Sequence, residues 1–350
     1  MTDTRADMQA MGVWSGLLDS GFGIDLGTAN TVVCHPRRGI VLNEPSVMVM
    51  RADGKRHPQP LLVGQAAREL IGRTPVGIVT IRPLRDGVIT DLEAARTFIV
   101  AILRLVTHRP WERMRPRAVI GVPVGATALE RRAVAEAAEE AGIGKASLIA
   151  EPVAGAIGSL VDPLEPRAHL VVDVGGGTAE VTAFCFGGIL AHRSSRVAGD
   201  EMTLALYQYL RQEHGIVVGE LTAEDIKLRV GANDRKSLVV EGRETASGRP
   251  RLVTLATEEV VDAIRPTSDG IIQALANCLD DLPPQTVSDI MGEGVLAFGG
   301  GTMLRGFSSL LEDAFGFRVR LVEHPLTCVA EGAAACLARP EVLAAYGDQL

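Results

Sequence analysis

The chain has 350 residues, of which 47% are hydrophobic and 22% charged, and its formal net charge is −8 at pH 7. A chain of this length can bury substantial cores, and its length favours two domains over one. The acidic balance argues against a surface built to neutralise nucleic acid, which needs clustered Lys and Arg. We therefore expect a soluble globular protein that binds no nucleic acid.

The spacing of cysteine and histidine excludes two kinds of site. The five cysteines are scattered without a Cys-x-x-Cys pair, which is typical of buried thiols in a reducing compartment. The seven histidines lack the spacing of zinc ligands.

No stretch approaches the roughly 20 apolar residues that span a bilayer, and the acidic N-terminal segment does not resemble a secretory signal. The sequence predicts a cytoplasmic protein.

The first half of the chain predicts an α/β region that opens with a meander of three strands. Short apolar runs separated by Gly-containing turns indicate the meander, and longer runs rich in Ala indicate helices. Gly142 is placed to terminate the first of these helices. The predicted strands are 22–26, 31–34, 40–42, 118–122 and 148–150, and the predicted helices are 127–141 and 152–160.

The second half repeats this order. It again begins with apolar runs around a polar, Gly-rich turn, and helical stretches follow. The polar stretch 231–250 resembles a small peripheral subdomain. The predicted strands are 169–174, 180–186, 189–193 and 295–298, and the predicted helices are 201–212, 222–230 and 330–337. No low-complexity linker separates the halves, so we expect a tight interface between them.

Two similar turns, one in each half, carry the chemistry. Asp25 precedes Gly27 and Thr28, and Asp173 precedes the run Gly175–Thr178. Such a turn points backbone N–H groups and a hydroxyl toward an anion, and glycine lets the backbone approach phosphate oxygens closely. The aspartates can hold the water shell of Mg²⁺, which keeps few protein ligands. The pair predicts a clamp for the phosphates of ATP and for magnesium.

A third glycine cluster, Gly299, Gly300 and Gly301, follows the apolar strand 295–298 and could lie against a nucleoside. A single cluster of this kind is more often only a turn, and it is the repeated order of all three that favours a ligand site. The chain has neither a P-loop motif nor a dinucleotide-binding motif with its ribose-binding acid. Those two fold classes are therefore disfavoured.

These motifs resemble the phosphate 1, phosphate 2 and adenosine motifs of the superfamily of actin, sugar kinases and heat-shock chaperones. Within it the chain resembles the MreB family of bacterial actin-like proteins over nearly its whole length. The segments that carry the resemblance are 23–31, 39–47, 81–89, 130–133, 151–153, 288–290 and 325–330.

The resemblance implies a duplicated actin-like, ribonuclease H-like fold of two α/β domains with mixed sheets and nucleotide in the cleft between them. A tail, 1–20, precedes domain I, which covers 21–157 and 326–345 with a peripheral subdomain at about 44–82. Domain II covers 158–325 with a peripheral subdomain at about 196–262.

The resemblance also implies an ATPase that forms paired protofilaments under the cytoplasmic membrane and helps to organise cell-wall synthesis with membrane proteins. Glu151 corresponds to the catalytic acid that orients the attacking water, assisted by Thr178, and Asp25 and Asp173 act through Mg²⁺. The implied nucleotide contacts are Gly27, Thr28, Ala29, Asn30, Gly175, Gly176, Gly177, Thr178, Glu224, Lys227, Gly299, Gly300 and Gly301.

Other interpretations stay open. Glu151 could simply favour the dipole at a helix N-terminus. Ala179, Ala198 and Phe298 depart from the family pattern, which leaves room for a specialised paralogue that positions another cargo. A soluble small-molecule kinase would use the same clamp, but the sequence offers no separate base for a substrate hydroxyl. A chaperone ATPase would need a peptide-binding domain after the clamp.

Both tryptophans fall where members of this family touch lipid, and Trp favours the bilayer interface. One lies in an N-terminal segment whose apolar residues share a face if it is helical, and the other lies in the loop that follows residue 109. The alternative is a frayed tail that packs on the domain and a surface Trp that fills a gap. The predicted membrane residues are Met11, Trp14, Leu17, Leu18, Trp111 and Met114.

Overall fold

The computed structural model of the protein describes residues 21–52, 59–85, 87–89, 91–107, 116–232 and 236–347. The strands are β1 (Gly21–Leu26), β2 (Asn30–His35), β3 (Gly39–Pro45), β4 (Met48–Arg51), β5 (Leu62–Val63), β6 (Ile78–Ile81), β7 (Leu84–Arg85), β8 (Val88–Ile89), β9 (Arg117–Val122), β10 (Lys145–Ala150), β11 (His169–Val174), β12 (Ala179–Cys185), β13 (Gly188–Ser195), β14 (Ile216–Val217), β15 (Ser237–Glu244), β16 (Pro250–Ala256), β17 (Val295–Phe298) and β18 (Val319–Leu321). The helices are α1 (Gln65–Arg68), α2 (Leu92–Val106), α3 (Ala128–Glu140), α4 (Glu151–Gly158), α5 (Gly199–Gln212), α6 (Glu220–Ala232), α7 (Thr257–Asp280), α8 (Pro284–Glu293), α9 (Phe307–Phe315), α10 (Cys328–Cys336) and α11 (Pro340–Gly347), with a 3-10 helix at Gly300–Met303.

Two five-stranded sheets share one topology. The first sheet has the order β10-β9-β1-β2-β3, and the second has the order β18-β17-β11-β12-β13. In each, an antiparallel meander is extended by two parallel strands, so β11, β12 and β13 repeat β1, β2 and β3. The duplicated fold with mixed sheets that the sequence predicts is therefore confirmed.

The central strands are apolar on both faces because helices cover both sides of each sheet. One core lies between the first sheet and helices α2 and α3, and a second lies between the second sheet and helices α5 to α9. A third core joins side chains of both sheets to α4, α10 and α11. We call the first sheet with α2 and α3 the first lobe, and the second sheet with α5 to α9 the second lobe.

Helices α4 and α10 cross between the lobes with bare backbone at the contact. A Cβ atom on Gly332 would lie 1.8 Å from the carbonyl oxygen of Ala154, and one on Gly158 would lie 2.0 Å from that of Cys328. Strand β1 also approaches α10 closely, because a Cβ on Gly23 would lie 2.1 Å from the nitrogen of Ala334. Only glycine fits these positions.

The peripheral parts contain more regular structure than the sequence predicts. Strands β4, β5 and β6 form one small sheet, and β14, β15 and β16 form another, whose strand β15 lies within the stretch 231–250 that the sequence predicts to be a small peripheral subdomain. Sequence patterns also left α2 and α7 unassigned, although both bury an apolar face. The predicted domain division at 157–158 falls at the end of α4, and the exact boundaries stay a prediction.

Within the described ranges, no helix is both long enough and apolar enough to cross a membrane. The six predicted membrane residues lie outside the described residues, in the N-terminal segment and in the stretch 108–115.

Candidate functional site

The two Gly-rich turns face each other across the cleft between the lobes. One joins β1 to β2 and the other joins β11 to β12, so they occupy the same place in the two sheets. A Cβ atom on Gly176 would lie 2.8 Å from Cβ of Ala29 and 3.3 Å from its nitrogen. Gly176 therefore lets the backbones of the two turns approach each other.

The first turn is held by hydroxyl groups. Ser46 donates from Oγ to the carbonyl oxygen of Gly27 at 2.6 Å, and the hydroxyls of Thr31 and Ser46 lie 2.9 Å apart. The N–H of Gly87 donates to Oγ1 of Thr28 at 3.1 Å. Ala29 and Asn30, at the tip of the turn, are exposed. The turn is thus fixed from behind while its tip stays open to the cleft.

The second turn is held by a helix N-terminus. Gly175 donates its N–H to the carbonyl oxygen of Thr178 at 2.9 Å, which closes the turn. From α5, the N–H groups of Gly199 and Asp200 donate to the carbonyl oxygens of Gly175 and Gly176 at 3.2 and 2.7 Å. The backbone of α5 therefore fixes this turn directly.

Lys227 fixes α5 in turn. Its Nζ donates to the carbonyl oxygen of Gly199 at 2.7 Å and to Oγ1 of Thr203 at 2.9 Å, and it lies 2.7 Å from Oε2 of Glu224. The residue is only 7% exposed. Because an ammonium group has three donors, these contacts use all of them. The structure therefore places Lys227 and Glu224 beside the second turn with their charges already paired.

Four carboxylates meet at the base of the cleft: Asp25 and Glu151 from the first half of the chain, and Asp173 and Glu180 from the second. Burial raises the pKa values of Asp25 and Glu180 to about 7. Burial also raises the pKa values of Glu151 and Asp173, and the neighbouring carboxylates add to both shifts. In the described ranges, no Lys or Arg forms an ion pair with any of the four. Among the described residues, these four carboxylates therefore have no Lys or Arg partner to balance their charge.

This donor set fits a hydrated cation better than a directly liganded one. Among the described residues, no group of three or more His, Cys, Asp or Glu side chains could hold a metal ion itself. Mg²⁺ usually keeps several waters and takes one or two carboxylates together with substrate phosphates. Asp25 and Asp173, at the ends of equivalent strands, are the carboxylates best placed for such an ion.

Glu151 is the first residue of α4, and its position agrees with both surroundings considered from the sequence. It lies at a helix N-terminus, and it belongs to the carboxylate group. Space for its side chain comes from Gly121 on β9, where a Cβ atom would lie 3.1 Å from Cγ of Glu151. The end of β9 and the start of α4 are therefore packed as one unit.

Sequence reasoning missed Glu180, which is 3% exposed and lies opposite Asp173 in the strand register. Its Oε2 accepts the N–H of Val124, from the first lobe, at 3.3 Å. A signal was available, because Glu180 is the one acidic residue in the otherwise apolar or hydroxyl-bearing strand β12. An acid in such a strand is costly to bury without partners.

The third glycine cluster is shaped by packing against β11. Gly299 has a φ of +85°, and a Cβ atom there would lie 2.4 Å from the carbonyl oxygen of Val174. One on Gly301 would lie 2.3 Å from Cγ1 of Val174, whereas Gly300 is exposed. A Cβ on Gly231 would lie 3.4 Å from the carbonyl oxygen of Met303, which brings the end of α6 beside the cluster.

The three departures from the family pattern are all buried. Phe298 fills the space above Gly155, where a Cβ atom would lie 2.1 Å from the ring. Ala179 begins β12, and Ala198 is the residue immediately before α5. They alter packing around the cleft and add no polar group to it.

One further cross-lobe contact was not visible in the sequence. Arg82, just after β6, forms an ion pair with Glu220 at the start of α6, and its Nη1 lies 3.9 Å from Oδ2 of Asp200. These contacts join the chain that follows the small sheet β4–β6 to helices α5 and α6 of the second lobe.

Comparison with known proteins indicates the same family as the sequence motifs do. Residues 19–344 match the family described as MreB/Mbl protein. The chain is 39% identical to the cell shape-determining protein MreB of Escherichia coli strain K12, covering 96% of this chain and 97% of that one. It is 37% identical to the cell shape-determining protein Mbl of Bacillus subtilis strain 168, covering 89% and 93%.

Solved structures show the same likeness. MreB5 of Spiroplasma citri bound to ADP superposes with a TM-score of 0.85 at 30% identity, covering 92% of this chain and 97% of that one. The same protein bound to AMPPNP gives a TM-score of 0.84. The family match extends over most of the chain, and the relatives align over nearly their whole length, so this chain belongs to the MreB/Mbl family.

Proposed function

We propose that this protein binds ATP in the cleft between its lobes and hydrolyses it slowly. The observation that carries the proposal is the pair of equivalent turns whose backbones approach each other at Gly176 and Ala29. Gly27–Asn30 and Gly175–Thr178 supply backbone N–H groups and hydroxyls to the phosphates. The nucleotides named for the Spiroplasma relative support this assignment.

The nucleoside lies on the side of the second lobe in this proposal. Glu224 and Lys227 border that side, and Gly299 to Gly301 present backbone there. Since the ammonium of Lys227 is already fully used, Lys227 supports the second turn through α5 and contacts the nucleotide through its aliphatic stem. Glu224 keeps one carboxylate oxygen for a ribose hydroxyl.

Asp25 and Asp173 hold Mg²⁺ through its water shell. When bound, the ion supplies the positive charge that this group of carboxylates lacks and that the phosphates also require. In its ionised form, Glu151 would orient a water toward the terminal phosphate, and the hydroxyl of Thr178 would assist. Such positioning accounts for most of the catalysis of phosphoryl transfer.

The protein polymerises with itself into filaments that help to determine cell shape. The names of the relatives from Escherichia coli and Bacillus subtilis, both cell shape-determining proteins, support the role in cell shape. Paired protofilaments at the inner face of the cell membrane, in contact with membrane proteins of cell-wall synthesis, complete the proposal. Hydrolysis then acts as a polymerisation switch by altering the angle between the lobes.

Phosphate release and light scattering, followed together after addition of ATP and Mg²⁺, test these two steps. We expect slow hydrolysis and ATP-dependent scattering from the wild-type chain, and filaments without hydrolysis from Glu151→Gln. Glu136→Gln is the matched control, because it changes the same kind of group at an exposed position on α3. Hydrolysis without filaments, or phosphorylation of a small molecule, would instead support a soluble kinase.

Membrane contact is tested separately by co-sedimentation with vesicles of anionic and zwitterionic phospholipid. The double variant Trp14→Ala and Trp111→Ala should stay in the supernatant, because each Trp contributes an interfacial anchor. Filament formation without vesicles serves as the control for folding. Unchanged pelleting of the double variant with vesicles would contradict the proposal.

A further inference from the structure

We propose that Glu180 is a positioning residue that ties the second turn to the β9–α3 loop of the first lobe and so sets the place of Glu151. This inference rests on the proposed ATPase and concerns how its two halves are aligned. It adds a residue that the family motifs quoted above do not assign.

The acceptor comes from the second lobe. Glu180 is the second residue of β12 and follows Thr178 by two positions, so its backbone moves with the second turn. Its side chain crosses to the first lobe, where Oε2 accepts the N–H of Val124 at 3.3 Å, and the backbone of Val124 and Gly125 opposes the rise in the pKa of Glu180 that burial causes. At 3% exposure, water cannot replace these donors.

The donors come from a turn that is shaped to hold an anion. Ala126 donates its N–H to the carbonyl oxygen of Pro123 at 3.1 Å, which closes a four-residue turn between β9 and α3. The two central N–H groups of such a turn are free to point at one acceptor, as in the small backbone concavities that bind anions. These N–H groups lower the pKa of Glu180, but burial outweighs them and raises it to about 7, so the group that accepts the bond is only partly ionised near pH 7.

A histidine lies behind the carboxylate without neutralising it. Nε2 of His192 is 3.9 Å from Oε1 of Glu180, and its Nδ1 is 3.1 Å from Oγ1 of Thr182. Burial lowers the pKa of His192 to about 4, so the ring is neutral near pH 7. The turn Pro123–Ala126 is therefore the main stabiliser of the Glu180 carboxylate among the described residues.

The turn Pro123–Ala126 is also connected to Glu151, through strand β9. It directly follows β9, whose Gly121 packs against Cγ of Glu151. It also directly precedes α3, which begins with a capping box between Thr127 and Glu130. Fixing the turn to Glu180 thus fixes the end of β9, and with it Glu151, relative to Thr178. Without this bond, each lobe keeps its own half of the site but the halves lose alignment.

Misalignment of this kind lowers turnover more than it weakens binding. We expect Glu180→Met, which keeps the length but loses the acceptor, to lower kcat about 10-fold while the dissociation constant for ATP changes less than about 3-fold. Glu180→Gln keeps an acceptor oxygen and should recover part of the loss. Val124→Pro removes the donor from the other lobe, leaves Glu180 intact, and should lower kcat similarly.

A double-mutant cycle on kcat decides the inference. If the two residues act through one bond, Glu180→Met and Val124→Pro together should cost no more than either alone. Additive losses, or a loss confined to ATP affinity, would overturn the inference. If Glu180→Met unfolds, Glu180→Gln takes its place in the cycle. If Val124→Pro unfolds, kcat and the dissociation constant for ATP of Glu180→Met and Glu180→Gln are compared with those of the wild type, and an unchanged kcat in both variants would overturn the inference. Failure of the wild-type chain to hydrolyse ATP would instead contradict the proposed function.

Discussion

The two turns of the cleft occupy equivalent places in equivalent sheets, yet they are supported differently. The first is held by side-chain hydroxyls: Ser46 donates to the carbonyl oxygen of Gly27, and Thr28 accepts the N–H of Gly87. The second is held by the N-terminus of α5, which the buried Lys227 fixes in turn. Duplication therefore preserved the position of the turns, while each lobe stabilises its turn by its own means.

Closing the two turns against each other is the feature they share, and breaking it should have the largest effect. In Gly176→Ala the new Cβ meets Ala29 at 2.8 Å, and relieving such an overlap costs about 1–3 kcal/mol. We expect ATP affinity to fall about 10- to 100-fold in a fluorescence titration. Gly292→Ala, which meets open space, is the control, and Ala29→Gly should partly restore binding. Undiminished affinity would mean that the turns do not close together.

Removing the support of the second turn should have the next largest effect. Lys227→Met leaves Gly199, Thr203 and Glu224 without their buried partner, at a cost of about 1–3 kcal/mol. We expect Tm to fall by at least about 3 °C and ATP affinity to fall about 10-fold. The exposed Lys145→Met should change neither quantity. An unchanged affinity for ATP would show that the support of α5 by Lys227 does not influence the nucleotide site.

The pH dependence of stability tests the carboxylates that the two turns contribute together. The pKa of Asp25 is raised to about 7 and that of Asp173 is also raised, so the folded state takes up protons more readily than the unfolded state. Their stabilisation is complete below about pH 4 and is lost as the pH rises through about 7. Without nucleotide, we expect Tm to fall by several degrees between pH 5.5 and pH 8.

Two further measurements check this sign. Asp25→Asn should flatten the decline in Tm, because an amide does not titrate. Mg²⁺ and ATP together should raise Tm more at pH 8 than at pH 5.5, since they supply the missing positive charge to ionised carboxylates. A decline that is equal in wild type and Asp25→Asn would assign it to other groups.

Removing the support of the first turn should have a smaller effect than Lys227→Met. Ser46→Ala deletes one hydrogen bond to Gly27 and one to Thr31, worth roughly 1 kcal/mol in total after relaxation. We expect ATP affinity to fall about 5-fold at most. The exposed Ser247→Ala controls for loss of a hydroxyl. A loss larger than that of Lys227→Met would reverse the comparison between the turns.

The smallest effect is expected from the ion pairs of Arg82. Arg82→Ala removes the ion pairs with Glu220 and Asp200, which are partly exposed and therefore weak. We expect release of a fluorescent ATP analogue to accelerate about 2-fold at low salt and not at all above about 0.5 M salt. Arg229→Ala, which removes an exposed pair elsewhere on α6, should leave release unchanged.

Local patterns in the sequence predicted much of the cleft. The apolar runs and Gly-rich turns correctly indicated both meanders, because strand periodicity and turn chemistry are local properties. The family resemblance was confirmed, and with it the duplicated fold. Glu151 and the three glycine clusters do lie around one cleft, although their roles stay predictions.

Tertiary contacts account for what the sequence did not predict. Glu180 was missed because its partner Val124 lies 56 positions away, and a strand pattern does not report such a contact. The bonding of Lys227 to Gly199 and the pairing of Arg82 with Glu220 depend on how distant elements pack. Helix α7 escaped notice because Pro266 and Gly270 interrupt its pattern, although packing on the second sheet maintains it.

The crossing of α4 over α10 has a mechanical consequence. Side chains normally interdigitate where helices cross, and such ridges resist sliding and turning. Gly158 and Gly332 have no side chains that could form such ridges, so the two helices approach each other backbone to backbone. A single added methyl group at either position would collide with the backbone of the facing helix. Any larger residue at these two positions would therefore separate the helices, which both contribute to the core shared by the two sheets.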